Sequence, residues 1–154
     1  MFYMLDTDTS SYIIKKRPLS VLQALQNKVK ASNIICISAI TYAEQRLGAE
    51  RSVNSEKHHA LISEFVQRLE DVVPWDKEAA DKFAQLQSYL FTNGRPIGNN
   101  DTMIAAHALA TGAVLVTNNI KHFSRVPDLN IETGSTKPHS RLESTRSVGR
   151  MPAG

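Results

Sequence analysis

One cysteine among 154 residues cannot close an internal disulfide, and the chain has no second thiol for redox chemistry. Cys36 sits inside the apolar run Ile34-Ile35-Cys36-Ile37, where a buried, inert thiol is expected rather than a nucleophile. A reducing cytoplasm is the consistent compartment. No stretch approaches the ~18 consecutive apolar residues of a membrane helix, so no membrane partner is expected. The opening Met1-Phe2-Tyr3-Met4-Leu5 lacks the basic flank and length of a signal peptide. No His/Cys cluster has zinc spacing. Charge of one sign is also scarce: residues 1–132 hold 14 Lys and Arg against 14 Asp and Glu. The net +3 comes from Lys137, Arg141, Arg146 and Arg150 against Glu143, so the basic balance says little about nucleic acid.

What is present suits one domain. The length allows a single compact unit with a real core, without disulfide or zinc staples. Phe2 to Leu5 reads as a short buried strand, followed by a polar turn, Asp6-Thr7-Asp8-Thr9-Ser10. A helix begins at Tyr12-Ile13-Ile14 and Pro18 interrupts it. Ser20 caps the next, with Val21, Leu22, Leu25 and Val29 on its apolar face. Ile34 to Ile37 is a second strand, and a helix carrying Ile40, Ala43, Leu47 and Gly48 follows. Ser55 to Leu69 is amphipathic, with Leu61, Ile62, Phe65, Val66 and Leu69 on one face. Val72, Val73 and Trp75 suggest a third strand. Asp76 caps a helix to about Leu90, with Ala79, Ala80, Phe83 and Leu86 inward. Residues 93–100 form a loop, and Asp101 opens a helix that ends at Gly112. Ala113 to Val116 and Leu129 to Ile131 complete the strands.

Apolar strands alternating with helices imply an α/β fold, a parallel sheet covered on both faces. Residues 133–154 differ: Ser, Thr, Arg, Pro and Gly without periodicity. They read as disordered, or as derived from a vector or a frameshift. The expected division is therefore a domain at 1–132 and a tail at 133–154.

Ligands of open parallel sheets bind outside the carboxyl ends of the strands. Asp6 and Asp8 follow strand one, Glu44 lies in the helix after strand two, and Asp101 opens the helix before strand four. Thr117, Asn118 and Asn119 follow strand four. If these acids converge, they repel one another unless a cation joins them, and hard oxygen ligands suit Mg²⁺ or Mn²⁺. The rest of the 1–132 body is then left with 14 positive against 10 negative groups, a surface that attracts a polyanion around an acidic centre. Each acid also has a plainer reading. Asp6 and Asp8 suit a helix cap, Glu44 completes a Thr41-x-x-Glu44 capping box, and Asp101 suits an N-cap. His58 and His59 read as surface residues, His107 and Trp75 as core, and Arg95 as a solvated loop charge.

The residues carry a family resemblance. Met4-Leu5-Asp6-Thr7-Asp8-Thr9 resembles the "MLDTN" opening of VapC toxins, PIN-domain ribonucleases of VapBC toxin–antitoxin pairs. Residues 38–49, from Ser38 through Thr41 and Glu44 to Gly48-Ala49, resemble their S-x-x-T-x-x-E-x-x-x-G-A segment. Residues 96–108, Pro96 to Ala108, resemble P-x-G-x-x-D-x-x-I-A-A-H-A. Val116-Thr117-Asn118-Asn119-Ile120-Lys121-His122-Phe123, then Pro127-Asp128-Leu129, resembles their closing strand and loop. The likeness spans about residues 1–132. It implies a PIN-like three-layer fold, a parallel sheet of order 3-2-1-4-5 flanked by helices. It implies a Mg²⁺-dependent endoribonuclease toxin, with Mn²⁺ as a substitute, that cuts RNA with a metal-activated water and is restrained by a cognate VapB-type antitoxin. Carried over by position, Asp6, Glu44 and Asp101 are the catalytic, metal-binding acids. Thr117 is the strand-end hydroxyl beside them, with Asp8 and Asn119 in support. Asp8 stands where many members have Asn, and Asn119 where many have a fourth acid, which puts a second metal in question. The Asn-Asn ending resembles enteric members that cut initiator tRNA in the anticodon loop. A cytoplasmic homodimer is the expected form, and no RNA-binding residue is assigned.

Two rivals bear weighing. Asp6-Thr7-Asp8-Thr9-Ser10 after an apolar strand is near the D-x-D-x-T motif of haloacid-dehalogenase-type phosphatases, with Asp6 as nucleophile, and Ser38 fits their second motif. That family also needs a lysine and a late acidic pair. No Gly-Asp motif stands near strand four, and Glu44 would go unexplained. The other rival is a non-catalytic nucleic-acid-binding module, but no helix-turn-helix, zinc finger or aromatic RNA platform is recognisable.

Overall fold

The computed structural model describes residues 2–16, 27 and 34–133. Strand β1 (Phe2–Leu5) leads into helix α1 (Thr7–Lys16). Strand β2 (Ile34–Ser38) is followed by α2 (Ala39–Glu50) and α3 (Ser55–Gln67). Then come β3 (Asp71–Val73), α4 (Lys77–Thr92), α5 (Asn99–Thr111), β4 (Val114–Val116), the one-turn α6 (Ile120–Phe123) and β5 (Ile131–Glu132). The strands pair in the order β3-β2-β1-β4-β5, every neighbour parallel, as the family resemblance implies. The helix expected behind Ser20, and the break at Pro18, lie outside the described residues. So does the tail beyond Thr133.

Two-residue periodicity sends successive strand side chains to opposite faces, and both faces are dry. Met4, Cys36, Leu115 and Ile131 join Leu86, Leu90, Ile104 and Phe123 in one cluster under α4 and α5. Leu5, Ile35, Ile37 and Val116 join Ile13, Ile14, Ile62 and Phe65 in the other, under α1, α2 and α3. Burial pushes the Cys36 thiol up to about 12, so it is an inert core group.

Helix starts and faces differ from expectation in three places. α1 begins at Thr7, five residues before Tyr12, because Asp6 caps it and converts the polar run into a first turn. α5 begins at Asn99, because Gly98 takes φ 98° at its N-cap, a backbone setting that favours glycine. Ala80 faces solvent. On α2 the buried residues are Thr41, Gln45 and Ala49, while Leu47 is 60% exposed. That helix turns a polar face inward because it packs on the polar start of α1: Gln45 Nε2 donates to Ser11 Oγ at 2.8 Å.

Candidate active site

The pairing of β1 with β4 builds the first part of the site. The Asp6 amide donates to the Val116 carbonyl at 3.0 Å, continuing the ladder one residue beyond the end of β1. This sets Asp6 against Thr117. Thr117 Oγ1 donates to Asp6 Oδ2 at 2.5 Å and accepts the Asn119 amide at 2.9 Å. The other carboxylate oxygen, Oδ1, accepts the Thr9 amide at 2.8 Å. Asp6 is thus a helix cap as well as a candidate ligand. Its exposure is 3%, and burial raises its pKa. The hydrogen bonds from Thr117 and Thr9 oppose that rise, and the charge of Asp8 adds to it least. Asp8, the second residue of α1, is exposed and does not cap it.

The second part is built by helices. The Thr41-x-x-Glu44 capping box does not form, because α2 starts three residues earlier. Ser38 caps it, Oγ accepting the Ile40 amide at 3.0 Å. Glu44 is then free to reach across: Oε1 accepts from Thr7 Oγ1 at 2.6 Å and Oε2 from Asn100 Nδ2 at 2.5 Å. Thr7 Oγ1 also lies 3.1 Å from Thr41 Oγ1. Asn100 stands next to Asp101, so the bond to Glu44 ties the acid of α2 to the start of α5. Asp101 is in the first turn of α5 rather than at its cap. Its Oδ2 lies 3.6 Å from His122 Nδ1. Burial raises its pKa most; His122 lowers it, and the charges of Asp8 and Glu44 raise it.

Asn119 caps α6, its Oδ1 accepting the His122 amide at 3.4 Å while its Nδ2 lies 3.2 Å from His122 Nδ1. Thr7, Asn100 and His122 lie inside the recognised motifs, yet the sequence assigned them no role. The signal available was weak: short polar residues near three strand ends. His58 and His59 are half-buried rather than surface residues. His59 bridges Arg46 Nη1 (2.9 Å) and Glu50 Oε2 (2.9 Å), away from the acids. His107 is core, as expected, and Arg95 is exposed.

Among the described residues, the acids' hydrogen-bond and ion-pair partners are Thr, Asn, His and backbone amide groups, with no Lys or Arg. Among the described residues only the His122 ring offsets any of their charge. An all-oxygen, net negative donor set of this kind fits a hard divalent cation. Among the described residues no three such groups are already spaced to hold one ion, so binding calls for side-chain adjustment. No helix among the described residues is long and apolar enough to cross a membrane.

A family model described as PIN domain matches residues 3–129. The chain is 40% identical over 132 residues to ribonuclease VapC2 of Rickettsia felis, covering 86% of this chain and 97% of that protein. It is 38% identical over 130 residues to the tRNA(fMet)-specific endonuclease VapC of Salmonella typhimurium, covering 84% and 96%. The crystal structure of VapBC2 from Rickettsia felis bound to a DNA fragment from its promoter matches with a TM-score of 0.82 at 38% identity. That match covers 86% of this chain and 98% of the other.

Proposed function

The chain belongs to the PIN-domain family, among its VapC ribonucleases, and from that premise we propose that Asp6, Glu44 and Asp101 hold the divalent cation with which it cuts RNA. The supporting observation is that three elements deliver these acids to one sheet edge with, among the described residues, no Lys or Arg partner. The protein is an endoribonuclease toxin, and its partner is a VapB-type antitoxin, as in the similar complex. PIN-domain nucleases are in general divalent-metal dependent. Mg²⁺ is the ion proposed here, with Mn²⁺ able to replace it. The substrate is RNA, and tRNA(fMet) is the particular species, following the named specificity of the Salmonella relative. The nuclease domain is residues 1–132, with 133–154 a tail outside it; the protein works as a homodimer in the cytoplasm.

A bound divalent cation lowers the pKa of a water molecule and offsets charge building on a phosphoryl group. The chain's own residues do the rest. Thr117 and the Thr9 amide fix the two oxygens of Asp6. Asn100 and Thr7 aim Glu44. His122 balances part of the charge on Asp101. Asn119, bound up in the α6 cap, supplies no fourth acid, and Asp8 adds negative charge nearby. The phosphatase rival loses ground on Glu44, which shares a hydrogen-bonded corner with Asn100 and has no place in that chemistry.

The test is incubation of purified protein with total RNA, with and without Mg²⁺, followed by mapping of cut ends. Cleavage that needs Mg²⁺ and falls in the anticodon loop of initiator tRNA is expected. Undiminished cleavage in EDTA would remove the metal, and cuts spread over many RNAs would remove the tRNA specificity.

A further inference from the structure

Two hydrogen bonds join the helix of Glu44 to the helix of Asp101. One, from Asn100 to Glu44, belongs to the site itself. The other lies deep in the protein: His107 Nδ1 is 2.8 Å from Ser38 Oγ. Ser38 is six positions before Glu44, and His107 six positions after Asp101. Both are essentially inaccessible, at 0% and 1% exposure. We propose that His107 is a positioning residue for the metal-binding acids: through Ser38 it sets α2 against α5 so that Glu44 and Asp101 address the same cation. This rests on the acid assignment proposed above.

The chemistry of the pair supports a directed contact. Ser38 ends β2, where it pairs with Val73, and caps α2. Its Oγ accepts the Ile40 amide, which leaves its own proton for His107. Burial lowers the His107 pKa, so the ring is neutral and one nitrogen is an acceptor. In the tautomer with Nδ1 as that acceptor, the Ser38 hydroxyl donates to Nδ1, and Nε2 carries the N–H. Trp75 holds the ring edge-on, centroids 5.3 Å apart and planes at 73°. A residue that only filled space would need no nitrogen here. Leucine lacks the bond to the α2 cap, together with the edge-on contact to Trp75 and the interaction with the Pro74 backbone that raises the ring's pKa against burial.

The experiment compares wild type with His107→Asn, His107→Leu and Ser38→Ala. It reads Mn²⁺ affinity by electron paramagnetic resonance of the free ion, kcat and KM on RNA, and Tm. The Asn side chain places an acceptor near the position of Nδ1. His107→Leu should weaken Mn²⁺ binding about tenfold, the scale seen when groups behind metal ligands are removed. Its kcat should fall with KM little changed, and His107→Asn should recover most of both. Adding Ser38→Ala to His107→Leu should weaken Mn²⁺ no further, since the two residues act through one bond. If the Leu variant does not fold, Ser38→Ala alone carries the same expectation for Mn²⁺. Wild-type Mn²⁺ affinity in the Leu variant would overturn the proposal. So would equal losses in the Asn and Leu variants, which would mark His107 as packing alone. If Asp101→Asn binds Mn²⁺ as wild type does, the acid assignment itself falls and takes this inference with it.

Discussion

At the Asp6 corner, the backbone of two paired strands places the acid. At the Glu44–Asp101 corner, two helices place the acids through side chains alone. Asp6 is 3% exposed and bonded at both oxygens. The Asp101 side chain is 33% exposed, and His122 is its ion-pair partner among the described residues. A parallel ladder fixes its register residue by residue, because a one-residue slip would turn every side chain to the other face. Helix settings depend on caps and on a few long-range hydrogen bonds. One half of the site is thus built into the sheet, and the other can adjust when a cation arrives.

The largest expected effect tests whether both halves serve one reaction. Asp6→Asn and Asp101→Asn should each remain folded and each lose about a thousandfold in single-turnover RNA cleavage, since losing a charged metal ligand forfeits several kcal/mol of barrier reduction. Lengthening the side chain should then separate the corners. Asp101→Glu should keep measurable activity because that corner has room, whereas Asp6→Glu should have none. Equal activity of the two Glu variants would erase the contrast.

Stability should show the same asymmetry. Thr117→Val removes the hydroxyl that joins Asp6 to the Asn119 amide and leaves the buried carboxylate and the half-buried amide each short of a partner. It should cost about 1–3 kcal/mol by urea unfolding. Asn100→Ala breaks an exposed bond to Glu44 and should cost well under half as much. A larger loss at Asn100 would show that the helix corner is the more rigid one.

Smaller again is the effect of Gly98→Ala. No atom lies within 4 Å of the added Cβ, so nothing clashes, yet φ stays at 98°. Backbone strain should cost about 1 kcal/mol. If the start of α5 relaxes to relieve it, Asn100 and Asp101 move, and Mg²⁺ affinity should fall more than Tm does. A Tm loss with unchanged Mg²⁺ affinity would show that the acids do not depend on this cap.

These contrasts also explain what the sequence revealed. The sheet was legible because Phe2–Leu5, Ile34–Ile37 and Ala113–Val116 are apolar at both parities, the pattern of strands buried on two faces. The strand-end acids followed from that placement. The start of α1 was not legible, because Asp6-Thr7-Asp8-Thr9-Ser10 has the composition of a turn and becomes helix only once Asp6 caps it. The inward face of α2 was not legible for a related reason: Thr41 and Gln45 face the polar side of α1 and Leu47 faces out. Thr7, Asn100 and His122 gain their roles from groups far away in the chain, such as Asn100 to Glu44 across 56 positions. No local pattern encodes such a contact.

The last and smallest effect concerns Asp8, where sequence and structure disagree about cause. Gathered acids were expected to raise one another's pKa by repulsion. Asp6 and Asp101 are indeed raised, but burial is the first cause in both, and the Asp8 charge is a minor one. A carboxyl whose folded pKa exceeds its unfolded value holds its proton longer in the fold. Its stabilising contribution is complete below the unfolded value, near 3.8, and is lost as pH rises through the folded one. In EDTA, therefore, the wild-type Tm should be held back as pH rises from about 4 towards neutrality. Mg²⁺ should offset this above the folded pKa values, because it binds the assembled, ionised site. Asp8→Asn should leave most of that pH dependence intact, since burial of Asp6 and Asp101 persists. Its Tm in EDTA alone is a poor readout: relief of repulsion raises it, while loss of an acid in the first turn of α1 lowers it by a similar amount. The difference between the Mg²⁺ and EDTA values cancels the helix contribution and keeps the repulsion. That difference should be about 1–3 °C smaller in Asp8→Asn than in wild type, the scale of a solvent-screened charge pair. Equal Mg²⁺ shifts at neutral pH would show that Asp8 stands outside the field of the other acids, and the site would reduce to Asp6, Glu44 and Asp101.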